Sequence, residues 1–167
     1  CLTMRDDPPL PYMERIWNYY QILGYGAPYE WAQHDDVPFA SPHKPLSEMR
    51  IGIVTTAAPF QPGKGDQGPR APYNGAPKFF QVYADAIDPF PDLRIAHIAI
   101  DRAHTTASDI ASYFPLAALM KLVAAGYIGS VSPRFYGLPT NRSKRTTRDI
   151  DSKALLAFCR EDHVDAV

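Results

Sequence analysis

The chain has 167 residues, 46% hydrophobic and 21% charged, a composition ordinary for a globular domain with its own core, which excludes a disordered tail. Lys and Arg number 17 against 18 Asp and Glu, so bulk charge points to neither nucleic acid nor an anionic membrane surface. No apolar run reaches the roughly 18 to 20 residues that span a bilayer, and the N-terminus lacks the basic-then-apolar pattern of a secretory signal; the expectation is a cytoplasmic protein.

The 17 prolines concentrate before Pro45 and between Pro59 and Pro91, which predicts irregular, surface-hugging chain in the first half. Tyr12–Leu23 follows Pro9 and Pro11 and carries Ile16, Trp17, Tyr20 and Leu23 at the spacing of one helical face, with Gly24 and Gly26 as stop signals. Ala27–Ser47 has aromatics and prolines without a sustained period and reads as an extended arm. Arg50–Thr56, rich in β-branched residues, is the first buried strand. The expected organisation is therefore an N-terminal helix and proline-rich arm over 1–49, and an α/β domain over 50–167.

The loop Ala57–Gly75 contains Gly63, Gly65, Gly68 and Gly75. GKGDQG has the form of a dinucleotide fingerprint, but it lies well past the strand and is followed by Pro69 and Pro72. No helix N-terminus is available to hold a pyrophosphate, so the loop reads as a lid or insertion. Lys78–Tyr83 is a short strand candidate.

Asp92–Asp101 alternates so that Ile95, His97, Ala99 and Asp101 share one side of a strand. His97 and Asp101 facing the same way make a candidate acid/base pair. A core histidine satisfied by backbone, with an Asp opening the next turn, fits the same pattern. A metal site is not expected, because no third ligand is evident and His104 is the only nearby candidate. Ser108 or Asp109 caps a segment leading into a helix over Phe114–Ala125, with Pro115 in its first turn and Gly126 past its end. Tyr127–Val131 then completes strand, helix, strand.

Ser132–Arg148 reads as a basic loop at the carboxyl end of that strand, carrying Arg134, Arg142, Lys144, Arg145 and Arg148. Such a loop is either solvated or holds a carboxylate or phosphate; Arg134 is the expected anion contact, being nearest the strand. Phe135 and Tyr136 are too few for aromatic interleaving with bases, so nucleic acid is not expected. Asp151–His163 is an amphipathic helix with Leu155, Leu156, Phe158 and Cys159 near one side. Val164–Val167 reads as the opening of a buried strand, so further sequence or another chain is expected to complete the sheet, and ligands of open α/β sheets bind beyond the carboxyl ends of strands. The two cysteines, Cys1 and Cys159, fit neither a disulfide framework nor a zinc cage. Cys159 reads as a small buried hydrophobe, and Cys1 as a terminus exposed by removal of an initiator Met or by processing.

The stretch Ile95–Val131, with His97, Asp101-Arg102, Asp109-Ile110, Phe114-Pro115-Leu116, Leu119 and Gly126-Tyr-Ile-Gly-Ser-Val131, resembles the glycine/sarcosine/betaine reductase selenoprotein B and D-proline reductase family. His163-Val-Asp-Ala-Val167 is similar to that family's segment just before its redox-active selenocysteine or cysteine, and Arg50–Thr56 after Pro45-Leu-Ser-Glu to its opening strand. Where members carry a His-Tyr-Ser-Phe-Met-Gly-like stretch, this chain has Ser132-Pro-Arg-Phe-Tyr-Gly137.

The resemblance implies an α/β, three-layer, mostly parallel, Rossmann-like fold. It also implies a heteromeric reductase in which a selenolate or thiolate beyond Val167 displaces an amine that a pyruvoyl group on a companion chain activates. His97 and Asp101 are the expected catalytic residues, and Arg134, Phe135, Tyr136 and Arg102 the expected substrate contacts. The expected partners are a second polypeptide and a small amino- or carboxylate-bearing substrate. A cysteine-dependent lyase or racemase on the same scaffold, or a non-catalytic partner subunit, are the alternatives.

Overall fold

In the computed structural model of the chain, residues 10–26, 35–37, 39–68, 77–95, 107–140 and 143–167 are described. The chain divides into two compact units, Cys1–Phe39 and Ala40–Val167. In the first, helix α1 (Tyr12–Ile22) starts directly after Pro11 and exits through Gly24 and Gly26 at φ +68° and +69°. Tyr20 packs edge-on against Tyr19 and tilted against Tyr25, and no residue of α1 is buried. The expected helix is present; of the expected arm, residues 27–34 and 38 lie outside the described residues.

The second unit is α/β, built on short ladders. A 3₁₀ turn at Leu46–Glu48 leads into β1 (Arg50–Ile51) and β2 (Val54–Thr55), so the strand expected over Arg50–Thr56 is present in two pieces around Gly52-Ile53. Next come β3 (Ala58–Pro59), β4 (Tyr83–Ala86) and β5 (Leu93–Arg94), then a 3₁₀ turn at Ile110–Ser112, helix α2 (Leu116–Ala124), β6 (Ser130–Val131) and β7 (Arg134–Gly137). The chain ends in α3 (Lys144–Thr146), a π turn at Thr147–Asp151, and α4 (Ser152–Glu161).

β1 pairs in parallel with β6, and β2 in parallel with β7. The partner offset grows from 80 residues at Arg50↔Ser130 to 82 at Val54↔Tyr136, so the second chain carries a two-residue bulge around Ser132-Pro133 that breaks one ladder into two. β4 adds antiparallel to β7, and β3 pairs antiparallel with β5. The segment after α4 returns in parallel beside β1, bridging Ile51 to Ala166. The sheets are thus short and mixed in direction.

Two expectations need correction, and a third is covered only in part by the described residues. The strand expected at Lys78–Tyr83 begins where it was expected to end: Phe80 is exposed, and pairing runs from Tyr83↔Gly137 to Ala86↔Arg134. The partner strand, not local apolarity, sets this register. Of the strand expected at Asp92–Asp101, Leu93–Arg94 is observed, with residues 96–106 outside the described set. Ser132–Arg148, expected as a loop, contains β7 with Phe135 and Tyr136 fully buried, followed by helical turns from Lys144. Its basic residues and Pro133 suggest a loop, but Pro at the entrance of a strand removes no ladder hydrogen bond.

The core joins Ile53, Ala57, Leu93, Phe114, Leu116 and Phe135. A relay of edge-to-face rings runs Phe79–Tyr83–Phe135–Phe114–Phe90, with centroids 5.0, 5.9, 5.0 and 6.1 Å apart, each pair adding about 0.5–1.5 kcal/mol beyond its buried area. Asp109 caps the 3₁₀ turn by accepting from the Ala111 N–H at 3.0 Å, while α2 starts directly after Pro115 and ends before Gly126 at φ +76°.

Candidate functional site

Among the described residues, two places can carry polar chemistry, and they lie at opposite ends of the parallel strands. The first is the carboxyl rim. β2 and β7 finish side by side, with the Leu138 N–H donating to Thr55 O at 2.9 Å. Thr55 is buried, its hydroxyl donating to Tyr113 O at 3.1 Å and accepting from the Ala57 N–H at 3.1 Å, while the next residue, Thr56, is exposed. Because β5 runs antiparallel to β3, which follows β2, the chain at Ile95 heads back toward Ala57. His97, Asp101 and Arg102, with His104 and Cys1, lie outside the described residues.

The second place is a hub at the amino end of β7. The Arg134 guanidinium grips Asp162, just past α4, with Nε at 2.9 Å from Oδ2 and Nη2 at 2.9 Å from Oδ1. Nη2 also meets Glu161 Oε2 at 2.9 Å, and the guanidinium lies over the Phe158 ring. The Tyr136 hydroxyl donates to Asp162 Oδ2 at 2.7 Å. Its single proton is then committed, so the 3.0 Å contact with Ser132 Oγ is a bond that the serine donates. The Arg134 N–H in turn donates to Ser132 Oγ at 3.4 Å. Backbone amide, serine, tyrosine and carboxylate therefore form one directional chain, in which each bond polarises the next.

The electrostatics follow the geometry. Burial pushes the Asp162 carboxyl up, but bonds from Arg134 and Tyr136 outweigh it and leave it below the usual carboxylate range. Burial, with the nearby Asp162 charge against the Ser132 bond, pushes the Tyr136 phenol up to about 12. Burial, and then Asp162, also raises the Cys159 thiol, leaving it a poor nucleophile at neutral pH.

Arg134 therefore opens β7 at its amino end and turns to two carboxylates of the same chain. Phe135 sits in the aromatic relay, and Tyr136 stacks on Phe158 with centroids 6.3 Å apart. The sequence brings Arg134 and Tyr136 into one cluster, as their spacing on a strand allows. Asp162 and Ser132 were not singled out, and no short-range signal marks them: the Arg134–Asp162 contact closes over 28 residues. The chain matches no family model, no curated protein and no solved structure. Among the described residues no three His, Cys, Asp or Glu side chains converge to hold a metal ion, and no helix is long and apolar enough to cross a membrane.

Proposed function

We propose that this chain is a subunit or fragment of a reductase related to the selenoprotein B and D-proline reductase family, acting on a small amino- or carboxylate-bearing substrate. We also infer that its short ladders belong to one mostly parallel, three-layer, Rossmann-like sheet. The supporting observation is the parallel return of the segment after α4 beside β1, through Ile51↔Ala166. Continued in that register, a residue about four positions beyond Val167 comes level with Thr56 at the carboxyl rim, where ligands of α/β sheets bind. A cysteine or selenocysteine there, followed by a helix N-terminus, would be held as the anion. Cys159 does not fit that role, being half-buried with a raised pKa.

In this reading the nucleophile's lone pair forms a bond to carbon as the carbon–nitrogen bond breaks, and the departing amine takes a proton. His97 and Asp101 supply that proton, Arg102 holds the substrate carboxylate, and a companion chain brings the pyruvoyl group that activates the amine. A thiol of an external dithiol then attacks the alkylated sulfur or selenium, the carbon leaves with the bonding electrons and takes a proton as the reduced product, and the dithiol's second thiol displaces the mixed disulfide or selenosulfide to free the nucleophile. Helix α2, which buries Leu116 but leaves Met120 and Leu122 exposed, favours a chain that works beside a second polypeptide. Alkylation of the reduced native protein with iodoacetamide, followed by peptide mapping, tests the proposal. A modified Cys or selenocysteine just beyond Val167, protected by substrate, is the expected result; a gene encoding neither there overturns it.

A further inference from the structure

We infer that the Asp162 hub is a latch that docks Val164–Val167 onto β1, assisted by a second ionic clamp at Asp165. This goes beyond the reductase reading and stands without it. Helix α4 closes with the His163 N–H donating to Arg160 O at 3.2 Å and the Val164 N–H to Cys159 O at 2.8 Å. That is the paired closure usually made by a left-handed glycine, here made by His163 at φ 53°. The chain thus accepts a strained turn to leave the helix toward β1.

The backbone pairing it reaches is slight. Asp165 N–H donates to Arg50 O at 2.9 Å, Ala166 N–H reaches the same oxygen at 3.4 Å, and Gly52 N–H donates to Ala166 O at 2.8 Å. The net gain from a backbone hydrogen bond is no larger than the entropy lost in fixing one residue, so this ladder does not hold the segment alone.

Side chains make up the difference on both flanks of the turn. Before it, Asp162 is gripped by Arg134 and Tyr136, and its carbonyl accepts from Arg50 Nη1 at 2.7 Å. After it, Asp165 Oδ2 accepts from the Arg50 N–H and from Lys44 Nζ, both at 2.7 Å. Arg50 serves both clamps. Gly52 lets the segment approach: a Cβ there would meet Val167 Cγ1 at 3.0 Å and Val164 Cγ1 at 3.1 Å.

Amide hydrogen exchange on the full chain tests the latch, because two amides report docking directly. In Asp162→Asn, protection at Gly52 and Asp165 should fall at least about tenfold, while Tyr136 and Leu138, bonded within the β2–β7 ladder, stay within about threefold. Unchanged protection at Gly52 and Asp165 would overturn the inference. Should Asp162→Asn lose protection at every amide, Asp165→Asn decides: selective loss at Gly52 supports the latch, and unchanged protection there rejects it.

Discussion

Tyr83 lies flat across the space where Gly137 would carry a side chain: a Cβ on Gly137 would fall 1.8 Å from Tyr83 Cε1 and 2.3 Å from Cζ. The two are directly paired across β4 and β7. The ring has little room to yield, because it is wedged edge-on between Phe79 and Phe135 and its hydroxyl donates to Ala57 O at 3.2 Å. Gly137→Ala is therefore expected to destabilise by about 1–3 kcal/mol, the range of overpacked cores. Chemical denaturation checks this, and Tyr83→Leu in the same chain should restore part of the loss. An unchanged midpoint for Gly137→Ala would show that the strands separate at no cost.

At His163 the sign is opposite. Its φ of 53° is the left-handed conformation that glycine adopts without a Cβ penalty, and none of the latch bonds uses its side chain. His163→Gly should stabilise the chain by up to about 1 kcal/mol, the strain of one left-handed residue less the extra freedom of glycine in the unfolded chain. A rise in melting temperature is the expected readout. A fall would mean that the imidazole makes a contact worth more than the strain.

The helices were legible because their signals are local. Pro11 and Gly24 bracket α1, Pro115 and Gly126 bracket α2, and the apolar period fixes α4 to within a residue or two of its observed ends. The strands were less so, since pairing partners decide where they start. Tyr83 enters the sheet because Gly137 makes space for it, a relation across more than fifty positions that no window of sequence contains. The hub was missed for the same reason. Arg134 stood out as an anion contact near a strand end, yet the two-residue bulge at Ser132-Pro133 turns that position into the start of a further strand, facing Asp162.

Acid should loosen the C-terminal segment before the rest. Asp162, pushed up by burial but pulled down further by Arg134 and Tyr136, lies below the usual carboxylate range, as does Asp165 through its bonds to the Arg50 amide and Lys44. A carboxyl whose folded pKa is depressed binds fewer protons in the folded state. Its stabilisation is full above the unfolded value of about 3.9 and is lost as pH falls through the lower folded value. Urea midpoints measured between about pH 5 and pH 2 should fall for the wild type and less steeply for Asp162→Asn, whose overall stability is lower. Parallel curves would remove Asp162 from the acid response.

Separating the Arg134–Asp162 pair should cost more than removing it. The Asp162 side chain is 9% exposed and that of Arg134 28%. Arg134→Leu leaves a nearly buried carboxylate with the Tyr136 hydroxyl as its remaining side-chain hydrogen bond, and Asp162→Leu leaves the guanidinium with the exposed Glu161 as its remaining ionic partner. Each single change is expected to cost about 3 kcal/mol, at the lower end for broken buried pairs because Arg134 is partly hydrated. In the double variant no orphaned charge remains and Phe158 gains apolar neighbours, so its loss should fall short of the sum of the singles by at least about 1 kcal/mol. A double-mutant cycle in urea reads this coupling. Strict additivity would mean that the guanidinium and the carboxylate are each solvated independently, and that the hub contributes contact without cooperativity.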